Sequence, residues 1–426
     1  MFLYDISFFI LGFLSLITIL GLINNFYKKR INAYFFVLPV FLLFYIFPVF
    51  MDKIIGLNYL GPDYSTTIYY ALNDNLTSLI YNFYISVVLL IFYYFSRSNV
   101  FLNYSITEKE VIKIFSFIKR WRFFLYLIIV SPLFLVLVAG DYNFYSTYAD
   151  RDRMLANNFQ TYASKMSVIS LPLIILLINE KIFFLKKNKN IIYLLSLFFL
   201  FLILSLNIYI HGKRSIVAAF IFLFIVSLLI TKVLKKRFIV LLGLISFLIF
   251  SVFLMLYGKN IEGAQGFLGI YEGLRVDFSR DYGLKFVIYH ELLNSNYVVP
   301  YSGASYLFLL TFFIPRELWG DKPLPYAVYF TNSIFGDFGG TYFYGWGLTT
   351  SFVSEAVSNM GFLGLIFFPV FYIFSIRRIE NKKNIILRML GYLIMVLLLV
   401  LEPIAILFLI VAYFLLGFFT KYRFKF

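Results

Sequence analysis

Residues 191–231 read IIYLLSLFFLFLILSLNIYIHGKRSIVAAFIFLFIVSLLIT. Two uncharged apolar runs, 191–210 and 216–231, are separated only by His211-Gly212-Lys213-Arg214-Ser215. An α-helix needs roughly 20 apolar residues to cross the hydrocarbon of a bilayer. The stretch therefore reads as two membrane spans joined by a short charged turn. Working outward, the same pattern predicts eleven spans, near 6–25, 32–50, 77–96, 123–140, 166–180, 191–210, 216–231, 238–257, 353–376, 385–401 and 404–420. The expected fold is an all-α polytopic membrane protein. Composition agrees: 62% of residues are hydrophobic, 14% are charged, and the mean hydropathy is +0.88, which excludes an ordinary soluble domain. The first residues have neither a basic start nor a small-residue cleavage site, so they read as a retained span rather than a signal peptide.

The charges orient the spans. Basic clusters at 28–30, 97–122, 181–189, 232–237, 377–388 and 421–425 all fall on one side of an eleven-span count. They hold 25 of the 37 lysines and arginines, and the positive-inside rule makes that side cytoplasmic. Of the 21 acids, 17 fall on the opposite side. The N-terminus is then expected outside and the C-terminus inside. The net charge of +16 reports topology, not nucleic-acid binding, and the partner it implies is the lipid bilayer.

The chain has no cysteine and two histidines, which excludes disulfides, thiolate metal sites and a histidine-built metal centre. No Gly-rich phosphate loop is present. No cofactor and no metal are expected. The whole chain, 1–426, reads as a single transmembrane domain with outer loops 51–76, 141–165 and 258–352, the last between spans eight and nine. The cytoplasmic segment 97–122 has Thr107 and Glu110 at capping-box spacing, then Val111, Ile114, Phe115 and Ile118 on one face. It reads as an interfacial helix. The apolar run Tyr306–Ile314 is too short to span and is expected to lie in the interface or re-enter.

Twelve basic residues fall on the outer side, where such residues are scarce. Gly212-Lys213-Arg214-Ser215 opens a helix, whose free N–H groups and positive dipole end favour an anion. Lys213 and Arg214 suit a lipid-linked diphosphate at the outer leaflet; the other reading is a pair of snorkelling side chains. In Pro315-Arg316-Glu317-Leu318-Trp319-Gly320-Asp321-Lys322-Pro323 the prolines hold Arg316 and Lys322 at the surface, for phosphate binding or as an interfacial anchor. Arg151 and Arg153 alternate with Asp150 and Asp152, and Arg275 and Arg280 with Asp277 and Asp281; both sets fit substrate binding or local ion pairing. Glu355 lies in the first turn of the ninth span, followed by Asn359, Gly361 and Gly364. The helix dipole favours its ionised form there. It is a candidate base for a sugar hydroxyl, with Asp281 and His290 as rivals and a plain N-terminal acid as the other reading. Trp319, Tyr342, Tyr344 and Trp346 suit sugar stacking or an interfacial belt.

Three of these patterns occur in an order that resembles the Wzy-type O-antigen and capsule oligosaccharide repeat-unit polymerases. They are Gly212-Lys213-Arg214-Ser215, Phe313-Ile314-Pro315-Arg316 with Trp319 and Lys322-Pro323, and Glu355 with Asn359-x-Gly361-x-x-Gly364. They cover roughly the second half of the chain. One family pattern, arginine with glycine ten residues later in both large outer loops, is missing at Arg151, Arg153 and Arg316. The resemblance implies a multi-span, lipid-donor glycosyltransferase architecture of the GT-C type in the bacterial cytoplasmic (inner) membrane. It implies undecaprenyl-diphosphate-linked oligosaccharide as substrate, and a chain-length regulator and a flippase of the same pathway as partners. Lys213, Arg214 and Arg316 would hold the donor diphosphate, and Arg151 or Arg153 a donor or acceptor phosphate. Arg280, His290 and Lys322 would complete substrate binding, with Glu355 as base. An O-antigen ligase shares these features. A lipid-linked oligosaccharide flippase needs charges along a central cavity, whereas these spans are almost free of charge.

Overall fold

The computed structural model describes residues 2–28, 32–56, 65–97, 108–145, 157–212, 214–231, 271, 274–275, 278–342, 347–382 and 384–421. Their regular elements are all helical. In chain order they are α1 (Phe2–Tyr27), α2 (Ala33–Ile55), α3 (Thr66–Asn73), α4 (Asn75–Arg97), α5 (Glu108–Ala139), α6 (Asn158–Asn188), α7 (Ile191–His211) and α8 (Arg214–Thr231). After these come α9 (Asp281–Val287), α10 (Ala304–Thr311), α11 (Tyr326–Ile334), α12 (Phe352–Met360), α13 (Phe362–Glu380), α14 (Ile385–Val400) and α15 (Leu407–Lys421). Seven of them (α1, α2, α4, α5, α6, α7 and α13) are long and apolar enough to cross a membrane. Shorter apolar helices occupy the expected seventh, tenth and eleventh spans, within α8, α14 and Pro403–Phe418. The expected eighth span, 238–257, lies outside the described residues. The chain is an all-helical, membrane-embedded protein.

It divides into two compact units: Met1–Asn103 with Gly258–Phe426, and Tyr104–Tyr257. In the second unit, α5 runs unbroken from Glu108, within the expected interfacial segment, into the expected fourth span. Phe115 and Ile118 are buried, and Phe115 packs on Phe183 and Phe184 of α6 instead of facing lipid. No proline or glycine interrupts residues 108–131, so the helix has no reason to stop. Polar seams join the helices: Asn207 Nδ2 donates to the Ile129 carbonyl at 3.2 Å, and Arg122 pairs with Glu180 at 2.6 Å. Gly212, at φ 67°, ends α7 in the left-handed conformation that glycine adopts without strain.

In the first unit, α2 carries a π-helical turn at Leu42–Ile46. Pro48 has no N–H for the Phe44 carbonyl four residues earlier, and the backbone N–H of Arg280 takes that carbonyl at 3.1 Å. The expected ninth span is broken. Gly361 (φ 59°, ψ −136°) separates the nine residues of α12 from the 19 of α13. A Cβ on Gly364 would overlap the Ala356 carbonyl, so glycine is needed for the two segments to pack. Glu355 thus sits on a helix too short to span, next to the span proper. Within the large loop, α9 and α11 are buried in a layer against α12 and the end of α14, and α10 buries only its first turn, Ala304 and Ser305, beside α12.

Candidate functional site: a buried acid cluster

Glu355 is 4% exposed. Its Oε1 accepts from Ser305 Oγ at 2.6 Å, in the first turn of α10. Asn359, one turn further along α12, donates Nδ2 to the same Ser305 Oγ at 2.8 Å and to the Glu355 carbonyl at 2.7 Å. Three polar atoms here are buried without a protein partner: Glu355 Oε2, Asn359 Oδ1 and the Tyr306 hydroxyl. Buried polar groups are nearly always hydrogen-bonded, so such a group marks a place for water or a ligand.

Two further acids share the layer. Glu291, in the π-helical turn Ile288–Leu293, accepts from the Val298 N–H at 3.0 Å and from the Ser358 hydroxyl. Ser358 is also 2.9 Å from the Tyr326 hydroxyl. Glu402, between α14 and α15, accepts from the Ala327 N–H at 2.8 Å and from Thr350 Oγ1 at 3.5 Å. It supplies the cap that Pro325 cannot give α11. Among the described residues, none of the three acids has an ion-pair partner.

Burial pushes the Glu355 carboxyl up to about 8, with the nearby Glu402 charge acting in the same direction and the Ser305 bond opposing both. Burial also raises Glu291 and Glu402, each to about 7. This corrects the expectation of an ionised Glu355. A helix dipole contributes about 0.3–1 kcal/mol at an exposed terminus, less than one pH unit. Removal of a carboxylate from water outweighs that.

The other expected site residues separate by what their polar atoms touch. Arg316 is exposed; it donates to the Pro323 carbonyl at 2.9 Å and lies 3.5 Å from that of Gly320. Lys322 is buried and donates to the Phe312 and Ile314 carbonyls at 3.0 and 2.8 Å, with its ammonium over the Phe308 ring. It closes the C-terminal end of α10 through these two carbonyls. Arg280 donates Nε to the Val400 carbonyl at 2.7 Å, bonds the Ser279 carbonyl and stacks over Phe44. His290 gives Nε2–H to the Thr67 carbonyl at 3.2 Å and packs between Phe286 and Phe338. Burial lowers its pKa, so it is a neutral packing residue. Asp281, the rival base, is held well below the usual carboxylate range by Arg275 and Lys285, which overcome the opposing effect of its burial.

Arg214 is the first residue of α8, as the Gly212–Ser215 motif predicts. Its side chain lies outside what the structure describes, as do Lys213, Arg151, Arg153, Tyr344 and Trp346. Ser305, Glu291, Ser358, Tyr326 and Glu402 were not foreseen. A usable sequence signal existed for Glu402: an acid before proline in a short turn between two apolar runs. Among the described residues no group of three His, Cys, Asp or Glu side chains is placed to hold a metal. Comparison with protein-family models, curated proteins and solved structures returns no match. The site is therefore interpreted from its own chemistry.

Proposed function

We propose that this protein is a lipid-donor glycosyltransferase that polymerises oligosaccharide repeat units carried on undecaprenyl diphosphate, in the manner of Wzy-type polymerases. In this reading eleven spans place the N-terminus and the large loop outside the bacterial cytoplasmic membrane. The supporting observation is Glu355: a buried acid with one unpartnered oxygen, beside Ser305 and Asn359. It sits at one end of α10, while the other end leads directly into the proline-bounded loop that exposes Arg316.

The chemistry follows from that placement. The acceptor hydroxyl approaches Glu355 Oε2 and gives up its proton as its oxygen attacks the anomeric carbon of the donor. The bond from that carbon to the diphosphate oxygen breaks, and the lipid diphosphate leaves with the bonding electrons. Arg316 supplies positive charge for the leaving group, and Lys213 and Arg214 are assigned phosphate binding on their sequence motif alone. Glu355 must first ionise, so turnover rises as pH approaches about 8.

The test is Arg214→Gln and Glu355→Gln in cells that depend on this protein for polymer. Loss of polymer, single repeat units on the lipid carrier and normal protein levels are expected. Wild-type polymer from either variant would sink the role of that residue. A null strain that accumulates finished lipid-linked polymer would point to a ligase. Glycan transport without polymerisation, in vesicles containing only this protein, would point to a flippase.

A further inference from the structure

A single base does not need three buried acids, and the extra two are not placed at random. Glu402 holds the first turn of α11 through the Ala327 N–H. The neighbouring residue, Tyr326, reaches Ser358 at 2.9 Å, and Ser358 in turn bonds Glu291. Ser358 lies three residues after Glu355 on α12, so it is on the next turn of the same helix face. The buried Tyr326 hydroxyl lies in the field of all three carboxyls, and Glu402 also acts directly on Glu355.

Among the described residues, the elements packed against α12 bring no free cation to this layer. Asp281 and Lys285 of α9 pair with each other at 3.5 Å, and Asp281 also pairs with Arg275. From α10 comes Tyr306, and from the adjoining π-helical turn the neutral His290 with Glu291. On α13, Arg377, Arg378 and Glu380 lie in the last turn, about 20 Å along the axis from its start at Phe362. On α14, Arg388 donates to the Lys382 carbonyl at 3.0 Å, away from Glu402 at the other end of the helix.

We infer that Glu402 and Glu291 are positioning residues that govern the proton on Glu355: the three acids share one tolerance for negative charge, and ionisation of either neighbour keeps Glu355 protonated. Like charges in a site removed from water oppose each other's ionisation, so protons leave the group one at a time. The catalytic meaning rests on the reading of Glu355 as the base; the proton sharing itself does not.

The experiment uses the full chain in lipid nanodiscs and follows carboxylic-acid C=O bands by infrared difference spectroscopy during alkaline titration. The band missing from Glu355→Gln identifies Glu355. In Glu402→Gln, which keeps an acceptor for the Ala327 N–H, the Glu355 midpoint should fall by about one pH unit. Glu291→Gln should move it in the same direction and serves if the first variant does not fold. The lower limb of the polymer-forming pH profile should shift by the same amount. A Glu355 midpoint that stays in place or rises in both variants overturns the inference. A shifted midpoint in a protein that makes no polymer leaves proton sharing standing and removes the polymerase reading.

Discussion

Two buried ionic clusters in the first unit differ in one respect. Around Arg275, which is 1% exposed, every charge has an opposite neighbour. Its guanidinium meets Asp281 at 2.8 Å and Asp52 at 2.9 Å, while Lys285 faces Asp281 at 3.5 Å. Ser279 and Tyr271 complete the network at 3.1 and 2.7 Å. Around Glu355 the acids have only hydroxyls, amides and backbone for company, and Glu355 Oε2 has nothing. The first arrangement ties the large loop to the end of α2 and leaves little for a ligand to gain. The second costs stability whenever an acid ionises, and so keeps a reactive proton in a dry place. Buried charges with partners stay ionised, whereas a buried acid without one tends to hold its proton.

The largest effect that could break this contrast is on stability. Arg275→Met leaves Asp52 without its cation and the buried Asp281 with Lys285 alone, and should destabilise the protein by about 3–5 kcal/mol, measured by thermal unfolding of the purified protein. Glu355→Gln should not destabilise it. Equal losses in the two variants would erase the distinction between the clusters. On activity the order reverses: Glu355→Gln should lower polymer formation by about 100-fold or more. A folded double variant, Arg275→Met with Asp281→Asn, should retain part of it.

A smaller effect tests the cations. Lys322→Met removes the donor to two carbonyls at the end of α10 and should cost about 1–3 kcal/mol. The loop 312–323 should become more open to proteolysis. Arg316→Gln should leave stability within about 0.5 kcal/mol, because the side chain is exposed, while polymer yield falls. Unchanged yield would remove Arg316 from the leaving-group site.

The most diagnostic effect is the pH dependence of stability, which runs in opposite directions for Glu355 and Asp281. Glu355 holds its proton to about 8 when folded and to 4.5 when unfolded, so between these values the folded chain binds more protons. Stability therefore falls as pH rises through that window. Glu291 and Glu402 act the same way up to about 7. Asp281 is depressed when folded, so its contribution is complete above 3.8 and is lost as pH falls below it. Unfolding midpoints measured from pH 3 to 9 should show both slopes. Glu355→Gln should flatten only the alkaline one.

The helices were legible because lipid leaves an apolar chain almost no other way to satisfy its backbone. Two boundaries were misjudged for local reasons. The segment before the fourth span carries charges but no helix breaker, so α5 simply continues from Glu108 into that span. The ninth span was read through Gly361, whose left-handed turn is invisible in an apolar average. Glu355 and Asn359 were legible as a pair at helical spacing. Their partner Ser305 is 50 residues from Glu355, and no periodicity points to it. Arg280, Arg316 and Lys322 look alike in sequence, each a basic residue in a loop near acids. Only the fold shows that all three donate to backbone carbonyls and that Arg280 and Lys322 are buried while Arg316 remains exposed.

By itself, the sequence determined that this is a membrane-embedded helical protein, because hydrophobic length and backbone hydrogen bonding are local properties. Only the tertiary structure decided which described charges are paired within the fold and which buried acids lack an ion-pair partner. The protonation of a buried acid depends on how completely water is excluded and on what stands beside it. For Glu355 those neighbours are Ser305, Asn359 and Glu402, brought together from three distant parts of the chain.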